Sequence, residues 1–160
     1  MNTIALAAAV LFQLVSAPGE PKEAFLQRAG VQMREWSDES RFEACAPIAT
    51  DGSRFGLIVT TSGSHVACAS NHSVVPDGMR STGETIHTHG TNKKFYANKA
   101  DAKLAGYREG QPISGQKVAA FSNMDYAEPG YLAAPGGVLL YQNGRADERY
   151  IAGVDSPTGP

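Results

Sequence analysis

The chain lacks an excess of positive charge. Its formal net charge is −2, and only 19% of its 160 residues are charged. A nucleic-acid-binding domain normally carries a basic face, so this composition argues against nucleic acid as a partner. Runs of like charge that would indicate a charged tail or a membrane-surface patch are also absent, and the short pair Lys93–Lys94 is typical of a solvated face.

Apolar runs of membrane-spanning length are missing as well. The N-terminal run from Ile4 to Val15 is shorter than the roughly 20 residues that cross a bilayer. Small residues follow it in Val15-Ser16-Ala17, so we predict that residues 1–17 are a secretory signal peptide. The alternative is an apolar N-terminal helix that packs on the domain. With the leader removed, we expect no membrane contact and a periplasmic or secreted location.

Cysteine is scarce, because Cys45 and Cys68 are the only two in the chain. An exported protein could join them in a disulfide. If they lie on the first and third strands of a simple meander, however, their backbones are about 10 Å apart. That distance is beyond the reach of a disulfide. A bridge and two buried thiols therefore both remain open.

Glycine and proline are abundant, with seventeen and nine residues, and they predict many turns and short strands. The length is that of one domain with a substantial core, which we place at residues 18–152, followed by a flexible tail at residues 153–160. Helices are predicted at residues 20–35 and 99–107, strands at residues 42–48, 54–61, 64–70, 85–89 and 117–122, and a hairpin at residues 131–134 and 138–141. We therefore predict an α/β fold, with a mixed, curved sheet flanked by two or three helices and the site at the edge of the sheet.

His87 and His89 are two residues apart in a predicted strand. Strand side chains alternate with a period of two, so both imidazoles lie on one face and can reach one ion. Asp125, in the polar cluster at residues 121–125, supplies a carboxylate. Zinc takes neutral imidazole and carboxylate ligands, and a catalytic site leaves its fourth position to water. The pattern predicts a Zn²⁺ site formed by His87, His89 and Asp125.

A zinc hydrolase also needs a carboxylate that takes the proton of the attacking water, and a donor to the oxyanion. Glu84 is close to the histidines in sequence, but its odd spacing from them turns it to the opposite face of a strand. The two other histidines, His65 and His72, are predicted to lie at the surface, where His72 could face the substrate.

One ordered set of residues resembles a known signature. The order Glu43, then His87-Thr88-His89, then Ser122-Asn123-Met124-Asp125 resembles the JAMM (MPN) metalloprotease pattern of a strand glutamate, H-x-H and S-x-x-D. The segment YLAAPGGVLLYQ is similar to one that follows S-x-x-D in bacterial JAMM-like domains, and the match spans residues 42–142. The resemblance implies a JAMM-like fold with cytidine-deaminase-like layering, zinc ligands His87, His89 and Asp125, Glu43 as general base and Ser122 as the oxyanion-stabilising serine.

The chain departs from that pattern in two places. Gly90 follows the second histidine, where the family usually has proline. The interval between H-x-H and S-x-x-D is long and contains its own predicted helix. We interpret residues 91–116 as an insertion near the site that shapes access of the substrate.

The resemblance implies an exported zinc-dependent metallohydrolase that cleaves an amide or isopeptide bond, as a peptidase or amidase. The expected partner is a peptide or protein substrate, such as the stem peptides of peptidoglycan or a secreted protein. The alternative from another class is a catalytically inactive JAMM-like module used for binding or assembly. The presence of all five functional positions favours the enzyme.

Overall fold

The computed structural model of the chain describes residues 8–90, 92–134 and 138–153. It is a mixed α/β structure with a mostly antiparallel seven-stranded sheet. In chain order its elements are β1 (Ala9–Val15), α1 (Lys22–Ser40), β2 (Cys45–Thr50), β3 (Phe55–Thr61), β4 (Arg80–Thr88), β5 (Lys94–Tyr96), α2 (Lys99–Ala105), β6 (Pro112–Ser114), a 3₁₀ helix (Asn123–Ala127), β7 (Gly130–Ala134), β8 (Val138–Gln142) and β9 (Glu148–Gly153).

The seven-stranded sheet has the strand order β1-β3-β2-β4-β7-β8-β9. Strands β4 and β7 are parallel, and the other neighbouring pairs are antiparallel. The histidine-bearing strand β4 is thus the middle strand. The expectation that the site lies at the edge of the sheet is wrong, because His87 sits near the carboxyl end of a strand that has neighbours on both sides.

Helix α1 covers one face of this sheet. Its apolar residues recur every three or four positions, and Phe25, Leu26, Ala29 and Met33 are fully buried against the strands. Burying each large side chain of this stripe contributes roughly 1.5–3 kcal/mol. The helix runs past the predicted end at residue 35, since its buried stripe continues, and it ends at Arg41, which adopts a left-handed φ of 72°.

The opposite face carries a smaller apolar cluster. Phe121, Leu132 and Ala134 form it, with Tyr126 and Leu140 packed against them. The 3₁₀ helix and the loop that follows β3 lie on the same side as this cluster, since Phe121 and Cys68 line one cavity. Because no long helix fills this face within the described residues, room remains there for a site.

Residues 92–116 form a small substructure inside the predicted insertion. Strands β5 and β6 pair with each other in a separate two-stranded sheet. Helix α2 lies between them in sequence and begins with a capping box, in which Asn98 and Asp101 each accept a backbone N–H of the other. The predicted helix at residues 99–107 is confirmed here, two residues shorter at its carboxyl end.

The predicted leader overlaps an ordered strand. Ala9–Val15 forms β1, which pairs antiparallel with β3 at one side of the sheet, so these residues are not the packed helix of the alternative. Residues 1–7 lie outside the described part of the chain, and the signal peptide stays a prediction. No helix in the described residues is both long and apolar enough to cross a membrane. The tail predicted at residues 153–160 lies outside the described residues after Gly153.

Two predicted strands are wrong. Residues 64–70 form a loop after β3, and residues 117–122 form turns and bends. The first error decides the state of the cysteines. Because Cys68 leaves the sheet and folds back, its Cα lies 5.9 Å from that of Cys45, and the two residues form a disulfide. The 10 Å separation assumed a third strand that does not exist.

Candidate metal centre

The side chains of His87, His89 and Asp125 converge. His87 Nε2 lies 3.2 Å from Asp125 Oδ1, and His89 Nε2 lies 3.2 Å from Asp125 Oδ2. The two Nε2 atoms are themselves 3.2 Å apart. A tetrahedral zinc with bonds of about 2.0–2.1 Å holds its ligand atoms roughly 3.4 Å from one another. The three residues therefore form a group that could hold one metal ion.

Strand alternation aims the two histidines at one point. Thr88, between them, faces α1, where its hydroxyl contacts that of Ser37 and accepts the Ala44 N–H at 2.9 Å. The carbonyl of His89 accepts a hydrogen bond from the buried Arg34 guanidinium of the same helix. The backbone is thus fixed from the helix side, and the imidazoles project from the other face.

His89 has the tautomer that a metal ligand needs. Its Nδ1 lies 3.3 Å from the Val118 carbonyl oxygen, which can only accept, so Nδ1 carries the proton. Burial lowers the pKa of His89 and outweighs the neighbouring Asp125 carboxylate, which by itself would raise that pKa, so the neutral ring is favoured. The Nε2 lone pair then faces the carboxylate oxygen of Asp125. The Nε2 lone pair and the carboxylate oxygen would repel each other at this distance, and a cation between them would remove the repulsion. A hydrogen bond from the other ring nitrogen, as Nδ1 makes here, is usual for metal-bound histidine.

Asp125 is held ionised at the start of the 3₁₀ helix. Burial by itself would raise its pKa, but the contacts of its carboxylate with the His87 and His89 rings outweigh burial and bring the pKa well below its usual range. The Oδ2 atom also accepts the backbone N–H of Ser122 at 2.6 Å. Gln142 donates its side-chain amide to the Asp125 carbonyl at 2.8 Å and anchors this turn to β8.

Glu43 lies beside the group, two residues before the start of β2. It is 5% exposed, and its Oε1 is 4.0 Å from His89 Nε2. Its backbone is held by Ser64, whose carbonyl accepts the Glu43 N–H at 2.9 Å, and by the Thr61 hydroxyl, which donates to the Glu43 carbonyl at 2.7 Å. Burial, reinforced by the charge of Asp125, raises the pKa of Glu43 well above its usual range. A bound cation would act in the opposite direction and favour the carboxylate.

Ser122 and the rival carboxylate lie in different places. Ser122 is exposed and lines a cavity of about 200 Å³ together with Glu43, His87 and Asp125. Glu84 is on the helix side of the sheet, where it forms an ion pair with Lys22. The structure therefore places Glu84 away from the metal-binding group, as its odd spacing predicts.

The two remaining histidines differ. The side chain of His72 is 33% exposed, and its ring lies between Ser81 Oγ at 2.6 Å and the Glu128 carboxylate at 3.0 Å. Glu128 lines the same 200 Å³ cavity, so His72 is near its rim. His65 is more enclosed than predicted, because its side chain is only 15% exposed and it stacks on Phe95.

Asp101 is a structural residue of the site region that the sequence analysis missed. Its carboxylate is fully buried and accepts hydrogen bonds from the Ser64 hydroxyl at 2.6 Å and from the backbone N–H groups of His65 and Asn98 at 2.7 and 2.8 Å. It thereby joins α2 to the loop that holds the backbone of Glu43. The sequence pattern that could have indicated Asp101 is Asn98-x-x-Asp101, which has the spacing of a capping box. No sequence pattern could have indicated the Val118 carbonyl that contacts His89, since every residue has a backbone carbonyl.

No protein-family model, curated protein or solved structure matches this chain.

Proposed function

We propose that the chain is an exported zinc-dependent hydrolase with a JAMM-like fold that cleaves an amide or isopeptide bond in a peptide or protein. The observation that carries the proposal is the arrangement of the three metal-binding side chains and Glu43. The Nε2 atoms of His87 and His89 are 3.2 Å apart, and each lies 3.2 Å from a different carboxylate oxygen of Asp125. The buried Glu43 carboxyl is 4.0 Å from His89 Nε2. Two imidazoles, one carboxylate and a free fourth position are the composition of a catalytic rather than a structural zinc site.

Two residues of the chain, Glu43 and Ser122, would act directly in this reaction. Bound zinc would supply a Lewis acid and bring the pKa of a water to near neutrality. Glu43 would take the proton of the attacking water on Oε1 and pass it to the leaving nitrogen, as a general base and then a general acid. Ser122, exposed on the cavity wall, would donate its hydroxyl to the oxyanion that forms on the substrate carbonyl.

Both departures from the JAMM pattern are compatible with the ligand group. A Cβ at Gly90 would lie 2.8 Å from the Arg41 carbonyl oxygen, so neither alanine nor proline fits without movement. The insertion folds into β5, α2 and β6 beside the ligands and displaces none of them. Neither departure argues against the metal site.

The disulfide supports export. Disulfides persist in oxidising compartments such as the periplasm and the extracellular space, and Cys45 is bonded to Cys68. Cleavage after Ala17 would remove β1 and leave β3 as the outer strand of the sheet. Stem peptides of peptidoglycan or a secreted protein are the substrates that such a location would offer.

The test is hydrolysis of a panel of internally quenched peptides that includes lysine isopeptide linkages. With zinc-loaded protein, Glu43→Gln should keep its zinc and lower the rate roughly 10²–10⁴-fold, the usual contribution of a general base. Glu84→Gln is the matched control, because Glu84 pairs with Lys22 on the other side of the sheet, and its rate should match that of the wild type. Activity that survives Glu43→Gln contradicts the mechanism. Bound zinc without hydrolysis of any peptide would favour the inactive binding module.

A further inference from the structure

A second and larger cleft lies on the insertion side of the metal-binding group. Its volume is about 670 Å³, and its lining includes Arg41, His65, Asn92, Lys94, Phe95 and Tyr96. Most of these residues belong to β5 or precede it directly. The cleft therefore exists because of the insertion, whereas the 200 Å³ cavity is formed by the main sheet and the 3₁₀ helix.

The lining of this cleft is basic. Arg41 and Lys94 are both exposed, and among the described residues neither forms an ion pair. Among the described residues no aspartate or glutamate lines the cleft, although the chain as a whole carries a net charge of −2. The buried carboxylate of Asp101 lies beneath His65 and is fully occupied by donors. The cleft therefore favours a ligand with negative charge.

The wall of the cleft is rigidly held. The Nδ1 of His65 is 2.8 Å from Asp101 Oδ2, so this nitrogen donates to the carboxylate and the other is left to accept a hydrogen bond. The His65 ring stacks on Phe95 with centroids 4.4 Å apart and meets Phe42 edge-on at 4.9 Å. Tyr96, which is 74% exposed, adds a flat apolar surface beside Lys94. Such a surface combines charge, a fixed polar atom and aromatic area.

The cleft adjoins the metal-binding group. His65 and Asn92 line it and also line a small pocket of about 40 Å³, whose other wall contains Glu43, His89 and Gly90. The 200 Å³ cavity borders the same group at Glu43 and His87. A peptide bound at the metal-binding group would thus have both spaces within its reach.

We propose that the cleft formed by β5, β6 and Arg41 binds a carboxylate-bearing segment of the peptide substrate. Arg41 and Lys94 contact the carboxylates, His65 accepts a peptide N–H, and Phe95 and Tyr96 pack against the backbone of the ligand. That this ligand is the substrate rests on the proposed hydrolase function. The existence of an anion-binding site depends only on the residues of the cleft.

The experiment is an NMR titration of the ¹⁵N-labelled, zinc-loaded full chain at low salt with acetyl-triglutamate amide and acetyl-triglutamine amide. Two exposed charge contacts should make the triglutamate bind roughly fivefold more tightly or better. Its chemical-shift changes should centre on residues 92–96 and 112–114. The preference should disappear in the double variant Arg41→Asn/Lys94→Gln, in which asparagine tolerates the positive φ of residue 41. Lys99→Gln, at an exposed lysine of α2 outside the cleft, should keep it.

Three results would overturn the anion site: equal affinity for the two peptides, a preference that survives the double variant, or shift changes centred on residues 87–89 instead of the cleft. The last would mean that the glutamates bind the metal directly. The titration requires no bond cleavage, so its failure is distinct from failure of the hydrolase proposal. A chain that binds triglutamate in the cleft but hydrolyses nothing keeps the anion site and loses the enzyme.

Discussion

Cys45 and His87 are directly opposite each other on the adjacent strands β2 and β4, so the Cys45–Cys68 disulfide lies beside the metal-binding group. The bridge also ties the loop after β3 to β2. In this loop, Val66, Ala67 and Cys68 form part of the wall of the 200 Å³ cavity. The carbonyl of Ser64 in this loop accepts the backbone N–H of Glu43. One covalent bond therefore supports both the cavity wall and the proposed base.

Removal of the disulfide should destabilise the fold. The bridge closes a loop with a sequence separation of 23, for which chain entropy gives about 3 kcal/mol. We expect Cys45→Ala/Cys68→Ala to lower the free energy of unfolding in urea by about that amount. Dithiothreitol provides the control: it should destabilise the wild type, whose disulfide it reduces, and leave the double variant unchanged. Equal sensitivity of both proteins to the reductant would contradict the bridge.

Gly90 should not tolerate a side chain. A Cβ there would meet the Arg41 carbonyl oxygen at 2.8 Å, and this neighbour is backbone that cannot rotate away. Gly90→Ala should cost about 1–3 kcal/mol of unfolding free energy, as overpacking usually does. Urea unfolding in the presence of a chelator separates this effect from metal binding. An unchanged free energy of unfolding would contradict the close contact between Gly90 and the Arg41 carbonyl.

Asp101 should stabilise the fold in a pH-dependent way. Burial alone would raise its pKa, but hydrogen bonds from Ser64, Asn98 and His65 lower it below the usual value. A carboxyl with a lowered pKa contributes stability that is complete above its unfolded pKa, about 3.9, and is lost as the pH falls through its folded value. Asp101→Asn should therefore cost about 1–3 kcal/mol at pH 7, because its amide donor faces other donors.

The same variant gives a pH profile. The difference in unfolding free energy between wild type and Asp101→Asn should be constant from pH 7 to about pH 4 and should narrow below that. Asp77→Asn is the control, because Asp77 is an exposed carboxylate in a turn, and its profile should follow that of the wild type. A constant difference down to the acid end would mean that the charge of Asp101 contributes nothing.

The histidine pair was predictable because its geometry depends on a local rule. A spacing of two in a strand puts His87 and His89 on one face whatever the sheet topology, and the same rule sends Glu84 to the other face. The approach of Asp125 could not follow from spacing, since it depends on the 3₁₀ helix that precedes β7. Its place in the site was expected because its polar cluster supplies a carboxylate and because the resemblance implies it as a ligand, and the 3.2 Å distances now support it.

The errors arise where tertiary contacts override local pattern. Residues 64–70 alternate as a strand would, yet the buried Asp101 draws Ser64 and His65 into a loop, which brings Cys68 to Cys45. The partner of this loop is more than thirty residues away in sequence, so no window around Cys68 contains the cause. The central position of β4 was missed for a related reason, because its parallel pairing with β7 joins segments about 45 residues apart.

Zinc binding by His87, His89 and Asp125 can be measured by inductively coupled plasma mass spectrometry of the purified full chain. We expect one zinc per wild-type chain and loss of stoichiometric zinc in His87→Ala and in Asp125→Ala. His72→Ala is the control, because this partly exposed histidine lies outside the ligand group, and it should retain the metal. Wild-type protein without zinc after growth and purification with zinc, or full zinc content in the two ligand variants, would show that these residues do not form the zinc site.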